Sequence, residues 1–154
     1  MESRGGIRRI VVGVDGSEHA DAALQWAIAM AKGMGSQVVA VFAITPPIYF
    51  DTGLGAPNVQ VQYDEQWRTG IERDFEDEWC RPLREAGVAY KTVIGDGRAA
   101  SVIVNAADDA NADVVVAGRR GRGGVAELLL GSVSHELVLH CRRPVLVISA
   151  PPQR

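Results

Sequence analysis

The 154-residue sequence has few cysteines, few lysines and little net charge, and each of these features excludes some classes of protein or of binding site. Its two cysteines, Cys80 and Cys141, are too few for a disulfide framework. We expect both to be small buried hydrophobic side chains in a reducing compartment. The net charge of −3 gives no general positive field for nucleic acid, and no apolar run approaches the roughly 20 residues that span a bilayer. These absences predict a cytoplasmic protein with neither a nucleic-acid nor a membrane partner.

The length and composition predict one globular domain over residues 1–154, since 47% of the residues are hydrophobic. The N-terminal residues lack a long apolar region followed by a cleavage site, so an unprocessed start is expected. Residues 45–60 are rich in proline and glycine and have no helical period, which predicts a long surface loop. Residues 150–154 are expected to form a tail.

Five short runs of β-branched residues alternate with segments of helical period. The predicted strands are 7–14, 36–44, 88–94, 112–118 and 143–149. The predicted helices cover about 18–33, 61–86, 98–111 and 132–142. Alternation of this kind predicts an α/β fold with right-handed crossovers. We expect a single open parallel five-stranded sheet, order 3-2-1-4-5, with helices on both faces (a Rossmann-like architecture).

The helical segments carry apolar stripes that we interpret as core packing. The first helix is expected to begin after an N-cap at Ser17 and to end at Gly33 and Gly35. In the second helix a stripe of residues four apart is expected to be buried; its members are Trp67, Ile71, Phe75 and Trp79. In the last helix the residues expected to be buried are Val133, Leu137, Val138 and Cys141.

The two turns richest in glycine follow the first and fourth predicted strands, at residues 13–19 and 117–124. In the assumed strand order these strands are neighbours at the point where the order reverses. Ligands of open α/β sheets bind there, outside the carboxyl ends of the strands. Both turns are therefore predicted to face one crevice.

The stretch GRRGRGGVAELLLGSVSHE, which begins at Gly118, has the residues of a phosphate-binding loop. Glycines allow a close approach of the backbone to a ligand, and successive amides of such a loop can form an anion-binding concavity. The unpaired amides of the following helix favour a phosphate. Hydroxyls and guanidinium groups can add hydrogen bonds and charge; they belong to Ser132, Ser134, Arg119, Arg120 and Arg122. The alternative is an ordinary βα turn with solvated arginines, in which Ser132 is only an N-cap.

Asp15 ends the first strand at the same edge of the sheet. Its carboxylate can accept hydrogen bonds from ribose hydroxyls or help to hold a divalent cation. It can equally form an Asx-turn through Gly16 and Ser17. The residues alone leave both roles open.

Other nucleotide motifs and catalytic constellations fit poorly. The run that begins at Gly121 matches G-x-G-x-x-A, but it follows the fourth strand and no acidic residue ends a strand about 20 residues later. Neither of the two lysines, Lys32 and Lys91, follows a Walker loop. The single RGRGG run has no aromatic neighbours, so it is weak evidence for RNA binding. The histidines have no ligand spacing, G-x-S-x-G is absent, and no general base can be assigned.

Three parts of the chain together resemble the universal stress protein family. Gly118-x2-Gly121, nine further residues and Gly131-Ser132 match the family signature G-x2-G-x9-G-[S/T]. The opening IVVGVDGSEHADAALQWA resembles the family's first strand and helix, and GSVSHELVLHCRRPVLVIS resembles its last helix and strand. The resemblance covers essentially the whole chain, and the loop at 45–60 is its least typical part. It implies a fold related to the adenine nucleotide alpha hydrolases.

Because the glycine motif is complete, the chain resembles the ATP-binding branch of that family. The resemblance implies that Asp15 contacts the ribose or a Mg²⁺ or Mn²⁺ ion, and that Ala43 lies against the adenine, where the family often has valine. The positions implied to line the turn or to approach the ribose and phosphates are Gly13, Val14, Gly118, Gly121, Gly131, Ser132, Val133 and Ser134. The arginines Arg119, Arg120 and Arg122 depart from the family pattern and either strengthen triphosphate binding or are exposed.

The resemblance also implies a homodimer that forms by antiparallel pairing of the last strands, through Val145, Leu146, Val147 and Ile148. The prolines of the tail could instead discourage such pairing.

Three functional hypotheses follow for the chain. The first is an ATP-dependent regulatory module of a stress response with at most slow hydrolysis. The second is a genuine ATPase or phosphotransferase. The third is an interaction scaffold whose pocket is empty or holds cyclic AMP. Under the first hypothesis, valine at position 131 is expected to fill the phosphate space and leave the fold intact.

Overall fold

The computed structural model describes residues 5–44, 65–121 and 130–151. Five parallel strands form one sheet in the order β3-β2-β1-β4-β5, which confirms the predicted order. The strands are β1 (Arg9–Gly13), β2 (Gln37–Ile44), β3 (Tyr90–Asp96), β4 (Val114–Gly118) and β5 (Val145–Ile148). The central strands are buried on both faces, as their continuous apolar sequences require.

Helices cover both faces of the sheet. Their bounds are α1 (Glu18–Met34), α2 (Glu65–Arg73), a π-helical turn (Asp74–Trp79), α3 (Arg81–Ala86), α4 (Ala99–Asp109) and α5 (Ser132–His140). The core on one face includes residues of α1, the π-helical turn and α3, and the core on the other face includes residues of α4 and α5. Within the described ranges, none of these helices has the length and apolarity needed to cross a membrane.

The ends of α1 are as the sequence predicts. The Ser17 side chain accepts a hydrogen bond from the Ala20 amide at 3.3 Å and caps the first turn. The helix continues through Gly33 and ends at Gly35, whose φ of 68° places it in the left-handed conformation typical of a C-cap. The first helix is therefore fixed at both ends, with its start next to the end of β1.

The predicted second helix is interrupted by the π-helical turn. The Cys80 amide donates to the Phe75 carbonyl oxygen at 3.0 Å, a bond that spans five residues instead of four. Phe75 is fully buried, whereas Trp67 on α2 is 45% exposed. The expectation that Trp67 belongs to the core was wrong, because positions four apart drift by about 40° per step around a helix, which places Trp67 about 80° from Phe75. Residues 45–64, which include the predicted loop, lie outside the described ranges.

Fewer side chains of the last helix, α5, are buried than its sequence pattern predicts. Leu137 is fully buried and Val133 packs against the same core, but Val138 is 52% exposed. Because α5 lies beside β5 at the end of the sheet order, the sheet covers only one side of it. Cys80 is buried as expected, and Cys141 is half-buried.

The amino ends of the strands are closed by a carboxylate. Asp113 accepts hydrogen bonds from the Arg8 and Arg9 amides at 2.8 and 3.0 Å. These bonds favour the ionised form and hold the pKa of Asp113 below its usual value. The polar groups at this end are thus used for structure, and the glycine-rich turns lie at the opposite end.

Candidate functional site

The turns that follow β1 and β4 meet at the carboxyl end of the sheet. A methyl group built on Gly121 would lie 2.7 Å from Oδ2 of Asp15, so the backbone of one turn contacts the carboxylate of the other. The chain leaves β1 for the α1 face and leaves β4 for the α5 face, which makes this the switch point of the sheet. The predicted convergence of the two turns is therefore present.

The Asp15 carboxylate organises its own turn. Its Oδ1 atom accepts a hydrogen bond from the Ser17 amide at 2.9 Å, which is the Asx-turn that the sequence allowed. Its other oxygen, Oδ2, points toward Gly121. The turn thus holds the carboxylate at the crevice, and a structural role for Oδ1 is compatible with ligand contact through Oδ2.

Two glycines allow close packing behind the crevice. A methyl group on Gly118 would lie 2.6 Å from the carbonyl carbon of His19 and 2.8 Å from the Ala20 nitrogen. A methyl group on Gly13 would lie 2.9 Å from Cδ1 of Ile103. At Gly118 glycine is required because the neighbours are backbone atoms, whereas at Gly13 the neighbour is the end of a side chain that can move.

The start of α5 is bonded to the end of β4. The Gly131 amide donates to the Arg119 carbonyl oxygen at 2.7 Å, and the Ser134 hydroxyl donates to the same oxygen at 2.8 Å. Ser134 is only 1% exposed, so in this structure its hydroxyl holds the loop. The Ser132 residue is exposed, and the first amides of α5 have no partner within the helix.

Gly131 lies close to the backbone of its own loop, which bears on a valine at this position. A methyl group there would lie 3.1 Å from the Arg120 Cα atom and 3.2 Å from the Arg119 carbonyl oxygen. The added side chain would therefore press on the protein's own loop and would not simply occupy phosphate space. That the fold stays intact remains a prediction, and it requires the backbone at Arg119 and Arg120 to shift by a few tenths of an ångström.

Two arginine side chains supply the strongest indication that the crevice can bind an anion. The Nε atoms of Arg119 and Arg120 are both shielded from solvent and have no hydrogen-bond partner among the described residues. A buried donor of a charged group that lacks a partner is costly. An anion in the crevice would supply acceptors for these guanidinium groups.

The other residues predicted for the site differ in burial and in their hydrogen bonds. Val14 is buried at the end of β1, where its amide donates to the Val41 carbonyl oxygen at 2.9 Å. Ala43 and Val133 are half-buried. Arg122 lies outside the described residues. His19 is half-buried, and its Nδ1 atom accepts a hydrogen bond from the Ala150 amide at 2.7 Å.

Two side chains near the crevice were missed by sequence reasoning. Trp79 packs on Gly16, next to Asp15, although its helical spacing indicated only core packing. Arg98, the N-cap residue of α4, forms an ion pair with Glu136 in the second turn of α5. No local pattern links residues so far apart in the chain.

The residues fit a nucleotide better than a protein-bound metal. Among the described residues, no group of three or more histidine, cysteine, aspartate or glutamate side chains could hold a metal ion. Asp15 alone would give one carboxylate ligand, so a cation would need most of its oxygens from phosphate and water. The guanidinium nitrogens of Arg119 and Arg120, which have no acceptor within the described ranges, fit a phosphate anion.

The fold and this crevice define an open α/β domain whose switch point carries glycine, serine, arginine and aspartate residues. The family model described as "Universal stress protein family" matches residues 6–149. The chain belongs to the universal stress protein family.

Two curated relatives illustrate the sequence similarity. The chain is 31% identical to a universal stress protein of Synechocystis sp. over 152 residues, which cover 93% of this chain and 98% of the relative. It is 34% identical to one of Thermus aquaticus over 143 residues, which cover 92% and 98%. The alignments span nearly the full length of both chains in each case.

Solved structures show the same fold at lower identity. The protein described as hypothetical protein MJ0577 superposes with a TM-score of 0.77 at 23% identity, covering 96% of this chain and 99% of the other. A universal stress protein in complex with cAMP gives a TM-score of 0.66 at 23% identity, covering 94% and 98%. One from Archaeoglobus fulgidus in complex with dAMP gives 0.65 at 22% identity, covering 92% and 97%.

Proposed function

We propose that this chain binds ATP, together with Mg²⁺ or Mn²⁺, in the crevice between the turns after β1 and β4, and acts as a nucleotide-dependent regulatory module. The observation that carries the proposal is the contact between Asp15 and Gly121, together with two buried guanidinium nitrogens, Nε of Arg119 and of Arg120, that have no partner among the residues the structure describes. The structures of relatives in complex with cAMP and dAMP support a nucleotide as the ligand.

The phosphates are assigned to the start of α5. The amides from Ser132 to Ser134 lack intrahelical acceptors, and the positive end of the helix dipole favours an anion there. The exposed Ser132 hydroxyl can donate to a phosphate oxygen. The bonds from Gly131 and Ser134 to the Arg119 carbonyl hold this helix end against the β4 turn before any ligand arrives.

The ribose and the cation are assigned to Asp15. Its Oδ1 atom accepts from the Ser17 amide, and we assign Oδ2, which is directed at Gly121, as the ligand contact. A single carboxylate binds Mg²⁺ well only when phosphate oxygens complete the site. We therefore expect the metal to bind with the nucleotide and not before it.

The adenine is assigned to the end of β2. Ala43 is half-buried between Phe42 and Ile44, which are both buried, and it pairs in register with Gly95 of β3. A methyl group built on Gly95 would lie 2.6 Å from Cγ1 of Val102, so a flat ring at this edge would lie against the side chains of Ala43 and Val102. A larger residue at position 43 is expected to weaken adenine binding.

The test compares arginine variants by isothermal titration calorimetry with MgATP. Arg119→Ala and Arg120→Ala each remove a group that we assign to the phosphates, and each loss of a charged hydrogen bond is worth about 1.5–3 kcal/mol. Each variant should therefore bind about 10- to 100-fold more weakly. The matched control is Arg142→Ala, an exposed arginine before β5 at the opposite end of the sheet. Equal affinities for all three variants would contradict the assignment.

A nucleoside monophosphate is the second candidate ligand, because relatives are described in complex with cAMP and dAMP. Titration of the wild-type protein with ATP, cAMP and dAMP separates the two cases. ATP should bind most tightly if the two arginines contact the outer phosphates. If cAMP binds as tightly as ATP, Arg119→Ala should weaken both ligands equally. Mass spectrometry of the ligand released from denatured purified protein gives an independent identification.

We expect ATP hydrolysis to be slow at most, because no general base has been assigned near the phosphates. The competing hypothesis of a genuine ATPase or phosphotransferase predicts turnover well above background. That turnover should be abolished in Asp15→Ala. A phosphate-release assay on wild type and this variant distinguishes the two.

We also propose a homodimer that forms along β5. This strand pairs with β4 on one side, and none of the other described strands pairs with its outer edge. The carbonyl oxygens of Pro144 and Ile148 accept from β4 and from Arg119, so the amides of Val145 and Val147 point outward. An exposed edge of this kind favours pairing with a second copy.

Val147→Pro tests the dimer, because it removes an outward amide without removing a bond to β4. The variant should be monomeric by light scattering, whereas wild type and Val138→Ala should be dimeric. Val138 is exposed on α5 and serves as the control for general surface change. A Val147→Pro variant that remained dimeric would refute pairing through β5.

A further inference from the structure

We infer that Trp79 is a positioning residue for the nucleotide site, because its indole ring fixes the turn that carries Asp15. The inference rests on the proposed nucleotide binding and adds a residue from a different element of the fold. Trp79 ends the π-helical turn, 64 positions after Asp15 in the chain. No sequence motif joins the two residues.

The contact between Trp79 and the turn is close. Gly16 has a φ of 76°, and a methyl group there would lie 2.7 Å from Cε2, 2.8 Å from Cζ2 and 2.9 Å from Nε1 of the indole. The ring therefore lies directly on the Gly16 Cα atom. Only glycine satisfies both the left-handed backbone and this contact.

The indole is itself held by aromatic packing. Its ring packs edge-on against Phe42 with a centroid separation of 5.3 Å and against Phe75 at 6.4 Å. Phe42 and Phe75 stack at 5.6 Å. Phe42 precedes Ala43, so one cluster, made of Phe42, Phe75 and Trp79, lies behind both the Asp15 turn and the proposed adenine position. Aromatic pairs in these geometries stabilise each other, which favours one orientation of the indole ring.

The π-helical turn explains how Trp79 reaches this place. The bond from Cys80 to Phe75 adds one residue to the turn, so that Phe75, Trp79 and Cys80 all face the core. In a continuous α-helix, Cys80 would lie about 140° around the axis from Phe75. The widened turn brings the indole to the carboxyl end of the sheet while Phe75 and Cys80 stay buried. Single π-helical turns within helices often occur at functional sites.

The consequence is a defined direction for one carboxylate. Gly16 and Ser17 follow Asp15, and the Ser17 amide holds Oδ1. With the indole against Gly16, the turn cannot move away from β4, and Oδ2 stays directed at Gly121. Without the indole, the turn gains freedom and the carboxylate must be ordered when the ligand binds.

Trp79→Phe is the variant that separates this role from core packing. Phenylalanine keeps an aromatic ring beside Phe42 and Phe75 but lacks the fused indole atoms Cε2, Cζ2 and Nε1 that lie nearest the side-chain position of Gly16. The matched control is Trp67→Phe, the same change at a tryptophan that is 45% exposed on α2. We expect about a tenfold weaker affinity for MgATP in Trp79→Phe and no change in Trp67→Phe, measured by calorimetry.

A double-mutant cycle shows whether Trp79 acts through Asp15. If it does, Trp79→Phe should weaken MgATP binding in the wild-type background but not in the Asp15→Ala background. A role limited to general stability would give the same factor in both backgrounds. The inference would be overturned if Trp79→Phe lowered the MgATP affinity by the same factor in the Asp15→Ala background as in wild type. It would also be overturned if the Trp79→Phe variant bound MgATP as tightly as Trp67→Phe.

A measurement without ligand distinguishes this inference from the proposed function. The exchange rate of the Ser17 amide by NMR reports the bond to Asp15 directly, and it should rise several-fold in Trp79→Phe but not in Trp67→Phe. If wild type bound no nucleotide, the proposed function would fail, and an unchanged Ser17 exchange rate would separately refute the role of Trp79. Should Trp79→Phe not fold, Gly16→Ala places a methyl group against the same ring and should show the same loss of affinity.

Discussion

Replacing Gly118 by alanine should destabilise the whole domain, since this residue is where β4 passes the start of α1. The added methyl group would lie 2.6 Å from the carbonyl carbon of His19, 2.7 Å from its oxygen and 2.8 Å from the Ala20 nitrogen. All three are backbone atoms, so no side chain can rotate to make room.

The size of the effect follows from the overlap. Carbon atoms in contact normally lie about 3.5–4.0 Å apart, so the methyl group is roughly 1 Å too close. Relief requires a shift of β4 or of α1, and β4 is buried and paired with β1 and β5. Overpacked cores typically lose about 1–3 kcal/mol, and backbone atoms on both sides place Gly118→Ala at the upper end. About 3 kcal/mol corresponds to a fall in Tm of about 6 to 12 °C for a protein of this size.

Urea unfolding followed by circular dichroism measures the change in the free energy of unfolding. Gly33→Ala is the control, because Gly33 lies within α1 and a methyl group there meets no atom within 4 Å. That variant should gain up to about 1 kcal/mol from helix propensity. The two substitutions are chemically identical, but they should change the free energy of unfolding in opposite directions. A Gly118→Ala protein as stable as wild type would show that β4 and α1 are not packed as described.

Three further predictions concern ligand binding at the site, the stability of the fold at low pH and the reactivity of the two thiols. Gly121→Ala, which places a methyl group 2.7 Å from Asp15 Oδ2, should weaken MgATP binding about tenfold while the urea midpoint stays unchanged; a calorimetric affinity equal to wild type would contradict the contact. Asp113 has a lowered pKa, so its contribution is present above the unfolded-state value of about 4 and is lost as the pH falls through the folded-state pKa. Because the site is exposed, Asp113→Asn should lower the free energy of unfolding by no more than about 1 kcal/mol at pH 7 and should flatten its pH dependence below about pH 4. If the free energy of unfolding fell equally steeply with acid in the variant and in wild type, this prediction would be disproved. Burial raises the pKa of the Cys80 thiol to about 11, so a thiol reagent at pH 8 should modify Cys141 alone until urea is added; rapid modification of both would show that Cys80 is accessible.

The architecture could be predicted because its signals are local. Continuous β-branched runs such as Val114–Gly118 and the cap residues Ser17 and Gly35 report on the chain next to them. Each determines an element with little help from tertiary contacts. The strand order followed from the common arrangement of alternating strands and helices, and the structure confirms it.

The details of the site depend on contacts between distant segments. The sequence places a hydroxyl at Ser134 but cannot tell that the nearest acceptor is the Arg119 carbonyl oxygen. It places glycine at position 118 but does not show that the close neighbour is the His19 backbone. The role of Trp79 was hidden for a related reason, because a regular helical period cannot reveal the π-helical turn that orients the indole.

The central claim is that a nucleotide lies at the carboxyl end of the sheet between the two glycine-rich turns. An NMR titration of ¹⁵N-labelled protein with MgATP tests it directly, residue by residue. The account predicts amide shifts at Asp15, Gly121 and Ser132 and none at Lys91 or Asn111, which line a cleft of about 380 Å³ at the opposite end. Shifts confined to Lys91, Asn111 and their neighbours, or no shifts at millimolar MgATP, would contradict it.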